Sequence, residues 1–228
     1  MQRVPEPELM DDPVQARAYA NADFSEPHDA FVQQFAAVYP GGDIRDTILD
    51  LGCGPADISV RVASRYPGCR IDGIDGSEAM LREGRLRLQR EQLTDRVHLY
   101  RCKIPDDPPP LKSYPVVMSN SLLHHLHRPE GLWEYVSDCT AAAGWIFLMD
   151  LIRPASKAEA EQLVNTYSGG EPEILKRDFY HSLCAAFTPD EIRVQLQQAG
   201  LEHLHVEQVS DRHLIIYGNP TDRTKNVQ

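Results

Sequence analysis

Residues 48–57 read ILDLGCGPAD, with Asp50 inside an apolar run and Gly52 and Gly54 one residue apart just after it. Glycines after a buried strand permit positive φ and let a ligand approach backbone N–H groups closely. Asp75 ends the next apolar run, 21 positions beyond Gly54. In a doubly wound sheet that is the place of an acid that accepts hydrogen bonds from a ribose diol. The expected ligand therefore carries a ribose. Dinucleotides and S-adenosylmethionine both satisfy this. A dinucleotide fingerprint has a third glycine where this chain has Asp57. An acid in the first helical turn competes with pyrophosphate for the positive end of the helix dipole. S-adenosylmethionine has a sulfonium, an ammonium and no phosphate, so Asp50, Asp57 and Asp75 favour it.

A second set of reactive side chains lies further along. His124-His125-Leu126-His127 follows the fourth apolar run. Metal binding is the weaker reading, because adjacent histidines point in different directions and no nearby Cys or acid completes a set. No metal is therefore expected. General-base work or substrate orientation by His124 or His125 is the stronger chemical reading; the plain one is a strand-end cap with solvated neighbours. Asp150 ends the fifth apolar run and would orient a substrate or His124, or bond its own turn. Tyr180 sits in an irregular polar segment, and Arg212 and His213 open the last strand. Tyr19 and Phe24 belong to an N-terminal extension that would close over the ligand and exclude water, or merely pack there. The catalytic candidates are thus His124, His125, Asp150 and Tyr180. The substrate candidates are Tyr19, Phe24, His124, Tyr180, Arg212 and His213.

These residues need elements to hold them. Residues 1–43 read as an extension with helices near 13–21 and 27–39, the second with Phe31, Phe35 and Val38 at helical spacing. From residue 44, strands (47–51, 69–75, 97–102, 115–120, 144–150) alternate with helices (55–66, one capped by Ser77, 129–142). Asp106-Asp107-Pro108-Pro109-Pro110-Leu111 is a stiff loop. Residues 153–187 interrupt the alternation as a cap-like insertion. Thr188-Pro189-Asp190-Glu191 is a capping box that opens the last helix, and Gly200 ends it. Strands near 203–209 and 213–217 close a domain over 44–218, followed by a tail, 219–228. The alternation means a mostly parallel, doubly wound α/β sheet with helices on both faces.

The 228 residues are 42% hydrophobic and 25% charged, the balance of one globular domain. A net charge of −11 argues against a nucleic-acid partner, which demands a basic face. Five cysteines, an odd number without CxxC, suit a reduced, cytoplasmic protein. The first residues lack a basic start and an apolar core, so no signal peptide is expected. The most apolar window, 141–152, is short and holds Asp150, so no membrane span is expected.

Five stretches in order, ILDLGCGPA, IDGIDGSEAML, VVMSNSLLHHLHRPE, GWIFLMDLIRP and TPDEIRVQLQQAGL, resemble the class I S-adenosylmethionine-dependent methyltransferases over roughly residues 44–218. The resemblance implies a Rossmann-like, seven-stranded sheet with the last strand antiparallel. It implies a methyl transfer from S-adenosylmethionine to a small molecule. The alternatives are a quinone or modified tRNA base as acceptor, a binding module or partner subunit without turnover, and a nucleotide-linked oxidoreductase. By the resemblance, Gly52, Cys53 and Gly54 pass under the methionine part and Asp50 meets its ammonium. Asp75 takes the ribose, Gly76, Ser77 and Met80 flank the adenine, Cys102 and Lys103 hold the adenine-reading position, and Asn120 lies at the methionine end. His124 is the member of the histidine pair that would face the substrate. Lys103 stands where the family usually has an acid, and a lysine cannot accept a hydrogen bond. Adenine would then be read by backbone atoms or Asp106. Pro115 likewise replaces a common aspartate.

Overall fold

The computed structural model describes residues 1–7 and 9–221, so residues 222–228 of the expected tail lie outside the described residues. Seven strands form one sheet: β1 (Thr47–Leu51), β2 (Arg70–Asp75), β3 (Val97–Arg101), β4 (Tyr114–Asn120), β5 (Thr140–Leu151), β6 (His205–Gln208) and β7 (His213–Gly218). Their order is β3-β2-β1-β4-β5-β7-β6. β7 runs antiparallel to both neighbours, and the other pairs are parallel. The chain reverses its winding direction between β1 and β4, the switch point where such sheets bind ligands.

Alternate residues on each strand feed opposite faces. Ile48, Val116, Met118, Phe147, Met149 and Ile215 pack beneath α2 (Ser25–Val38) and α3 (Asp57–Arg65), whose Phe31, Phe35, Ile58 and Val62 complete that core. Leu49, Leu51, Val117, Ile146, Leu148, Leu214 and Ile216 face the other way, against Trp133 and Val136 of α5 (Glu130–Cys139) and Ile192 and Leu196 of α8 (Pro189–Gln198). The part of the N-terminal extension that forms α2 is thus continuous with the sheet core. α1 (Pro13–Asn21) lies elsewhere, with Ala16 against Ala79 and Met80 of α4 (Glu78–Arg90). Segment 153–187 folds as α6 (Lys157–Ser168) and α7 (Glu173–Ala185), packed on each other through Leu163, Val164 and Leu183.

The capping signals hold. Ser77 accepts from the Met80 amide, and Thr188 and Glu191 form the reciprocal box. Two boundaries move. α3 begins at Asp57 because Ala56 is left-handed at φ 62°, which leaves Pro55 in the turn before it. α5 stops at Cys139 and β5 starts at once, four residues before Gly144. The extra length is absorbed by a register shift between Tyr114 and Val116, across Pro115, which has no N–H for the ladder. Among the described residues no helix is long and apolar enough to cross a membrane.

Candidate active site

The carboxyl ends of β1, β2, β4 and β5 open on a cavity of about 530 Å³, a size suited to a small organic ligand. Its floor is the glycine turn. Gly52 and Gly54 take φ +67° and +51°, and Gly52 and Cys53 both donate to the Ile74 carbonyl at 2.9 and 3.0 Å. A Cβ on Gly52 would stand 2.8 Å from Leu122, whereas one on Gly54 would meet nothing within 4 Å, because it faces open space.

Asp75 braces this turn. One carboxylate oxygen accepts from the Gly54 amide at 2.9 Å and the other from the Ser77 amide at 2.8 Å. Each oxygen keeps a lone pair for a hydroxyl donor. Burial holds the Asp75 carboxyl above its ordinary range, against those two amide bonds. Asp50, at the same edge, is buried; burial lifts its pKa to about 7, and the bond from the Ser59 hydroxyl only partly offsets this. A buried carboxyl bonded to one hydroxyl is a place where a cationic group gains much. The remaining lone pairs of Asp75, the buried carboxyl of Asp50 and the open space beside the Gly54 Cα suit the ribose and methionine ends of S-adenosylmethionine.

Asp57 departs from expectation. Its carboxylate binds the His28 ring at 2.5 Å, Arg61 at 2.7 Å and Arg87 as well. Burial opposes its ionisation, but these three partners overcome it and hold the carboxyl far below its ordinary range. The acid is therefore compensated.

The other cofactor candidates separate by what their side chains do. Gly76, Ser77, Met80, Cys102, Lys103 and Asn120 all line the cavity. The Ser77 hydroxyl is spent on the Met80 amide and the Met10 carbonyl. The Cys102 thiol turns into the core toward Tyr135 and the Asp107 carbonyl. The Lys103 ammonium pairs with Asp106 at 3.4 Å, and Asp106 does not reach the cavity. Of the two substitutes for the missing adenine acceptor, only backbone atoms remain.

His124 and His125 line the cavity from the short 3-10 turn Leu123–His125 after β4. Asp150 does not line it. Its carboxylate accepts from His124 Nδ1 at 2.6 Å, the Leu123 amide at 2.8 Å and the Leu151 amide at 2.7 Å. It therefore positions His124, one of the roles read for it, and bonds its own turn rather than facing the cavity. Burial pushes the His124 pKa down, but Asp150 beside it wins and the net direction is up. Burial and then the His124 charge take His125 down to about 3, so that ring is neutral.

Tyr180 is corrected as a candidate. It packs against the α6–α7 core, while its chain neighbours Phe179, Asp178 and Ser182 face the cavity. Helical phase decides this, and phase is unreadable in a segment read as irregular. Arg212 borders the cavity, yet its guanidinium is committed to Glu26 at 2.7 Å, Asp211 at 3.2 Å and the Tyr167 ring at 3.3 Å. His213 lines it too, with burial lowering its pKa to about 4. Tyr19 and Phe24 border the same space with ring centroids 4.7 Å apart and planes tilted by 40°, and burial, then Asp57, raises the Tyr19 pKa to about 12. The sequence reading missed His28, Arg87 and Ser182. Only Arg61, four residues after Asp57, had a local signal.

Strand order, antiparallel β7, the glycine turn and the acid ending β2 define a Rossmann-like fold of the class I methyltransferase kind. Residues 48–144 match the family model described as Methyltransferase domain. Over that stretch, which is under half of its length, the chain is similar to methyltransferase domains. A trans-aconitate 2-methyltransferase of Paracidovorax citrulli is 51% identical over 41 residues, which are 18% of this chain and 16% of that protein. The matched stretch thus spans under a fifth of that relative's length. The 27-O-demethylrifamycin SV methyltransferase of Amycolatopsis mediterranei is 26% identical over 169 residues, 72% of this chain and 57% of that protein. The solved SAM-dependent methyltransferase of Aquifex aeolicus superposes with TM-score 0.63 at 15% identity, over 90% of this chain and 97% of that one. At that identity the likeness is one of fold.

Proposed function

We propose that the protein is an enzyme that transfers a methyl group from S-adenosylmethionine to a polar small molecule. The observation that carries this is one cavity in which a glycine turn and Asp75 sit with buried Asp50, while His124, His125 and His213 border the same space. When bound, S-adenosylmethionine supplies a methyl carbon already activated by the sulfonium. The chain's task is then alignment of the acceptor with that carbon. Asp75 holds the ribose, the glycine turn passes under the methionine part, Asp50 meets the ammonium, and His124 and His125 orient the acceptor. The acceptor lone pair forms the new bond, the carbon–sulfur pair leaves with sulfur, and a base is needed only for an acceptor that arrives protonated. Tyr19 and Phe24 close the site against water, with α6 and α7 as a cap.

Net charge −11 supports a small acceptor over a tRNA base. Five unpaired, buried cysteines suit a reducing, cytoplasmic setting. Titration calorimetry with S-adenosylhomocysteine and with NAD is the test. Preferential binding of S-adenosylhomocysteine is expected; preferential binding of NAD would overturn the reading. Asp75→Ala should weaken S-adenosylhomocysteine by about tenfold or more, the worth of a charged hydrogen bond. Labelled cofactor incubated with a metabolite extract should yield a labelled methylated product, and a mere binding module would yield none.

A further inference from the structure

The histidine pair has a third member that sequence spacing hides. Glu6 comes from the N-terminal segment, 118 positions before His124. That segment is strapped across the end of the domain. Arg3 donates to the carbonyls of Ala185, His124 and Leu126, and the Val4 amide to that of Cys184. The strap delivers Glu6 Oε1 to 3.5 Å from His124 Nε2 and 3.2 Å from His125 Nδ1. All three donor atoms lie within 4.8 Å of one another.

These contacts are not hydrogen bonds. His125 Nδ1 is buried and has no hydrogen-bond partner. The three donor atoms are thus clustered without hydrogen bonds among them. Two donors about 2.1 Å from a tetrahedral metal stand roughly 3.4 Å apart, and the two measured separations bracket that value. The outer contacts also suit a ligand set. His124 Nδ1 is held by Asp150 at 2.6 Å, which fixes the tautomer that leaves Nε2 free. Glu6 Oε1 accepts from the Ser182 hydroxyl at 3.0 Å. The two rings sit 4.3 Å apart, so adjacent positions converge after all, because the 3-10 turn folds one ring over the next.

We infer that Glu6, His124 and His125 form a binding site for one divalent transition-metal ion, with Asp150 as its outer brace. Two imidazoles and a carboxylate select an ion of the zinc or cobalt type over magnesium or calcium, which prefer all-oxygen sets. Three protein ligands leave a position open. Both histidines line the cavity, so that position faces the acceptor space. Resting on the methyltransferase reading, the ion would orient an acceptor oxygen and ease loss of its proton. This revises the expectation of no metal, which assumed that no acid completes the set.

The metal-free full chain is titrated with Co²⁺ and followed by its visible d–d absorption, with Zn²⁺ as competitor. One saturable equivalent displaced by Zn²⁺ is expected. Glu6→Gln and His125→Ala should each weaken Co²⁺ binding beyond about 100-fold, and Asp150→Asn by about 10–100-fold, the usual range for an outer-shell partner. His203→Ala, outside the site, should leave binding unchanged. Melting curves of each variant keep loss of metal distinct from loss of fold, and Glu6→Gln preserves shape. No visible band in the parent chain, or unchanged binding in folded Glu6→Gln and His125→Ala, would overturn the site. S-adenosylhomocysteine binding is measured separately, so the metal site and the methyltransferase reading fail independently.

Discussion

At the scale of single residues, Asp50 shows how a binding site carries a cost to the fold. Burial lifts its carboxyl to about 7 from an ordinary 3.8. A raised pKa means the native state prefers the protonated form. That stability is complete below 3.8 and is lost as pH rises through about 7. Asp50→Asn should therefore raise the melting temperature of the cofactor-free protein at about pH 8 by a few degrees. It should also weaken S-adenosylhomocysteine, because the ammonium loses its counter-charge. Paired calorimetry and thermal melting check both signs; a variant that binds normally would remove Asp50 from the site. Asp57 is the opposite case, with His28, Arg61 and Arg87 making its charge comfortable without any ligand.

At the scale of elements, the turn between β1 and α3 makes two glycines unequal. Both have positive φ, which costs a substituted residue about 1–2 kcal/mol. Gly52 additionally has Leu122 in the way of a Cβ, and Gly54 has open space. Gly52→Ala should thus destabilise the fold more than Gly54→Ala, read as the denaturant midpoint. Gly54→Ala should instead lose S-adenosylhomocysteine affinity, since its methyl would occupy the ligand's side of the turn. Equal stability losses in the two variants would refute this division. The 3-10 turn works in a similar way: one element aims His124 and His125 at shared space while Asp150, from β5, sets the ring angle.

At the scale of the whole molecule, the buried ionisable groups set a pH optimum. The carboxyls of Asp50, Asp75 and Glu6 are raised by burial, and His124 is raised on balance by Asp150. Each binds protons more readily in the native state and so favours folding as pH falls; for Asp50 that gain comes as pH falls through about 7. His125 and His213 are lowered to about 3 and about 4, so their contribution is present above 6.5 and fades as pH drops through those values. The cofactor-free chain should therefore be most stable in mildly acidic solution, near about pH 6. S-adenosylhomocysteine should flatten the alkaline side of the curve, because its ammonium favours ionised Asp50. Melting temperatures across pH, with and without ligand, give the comparison; a free protein most stable at about pH 8 would contradict it.

The strand runs, the glycine turn, Asp75 and the Thr188 capping box were readable from the chain alone, because each is a local matter of periodicity, φ or one helical turn. Helix limits around Ala56 and Cys139 were less so, since a left-handed residue and a register shift override propensity there. What only the tertiary structure decided is which distant side chains meet. Helix packing on the sheet brings His28 and Arg87 onto Asp57 and Glu26 and Tyr167 onto Arg212, and the N-terminal strap brings Glu6 onto His124 and His125. Helical phase in the same way turns Tyr180 away from the cavity that Phe179 and Ser182 reach. No local pattern encodes such meetings, because their geometry depends on the packing of the entire chain.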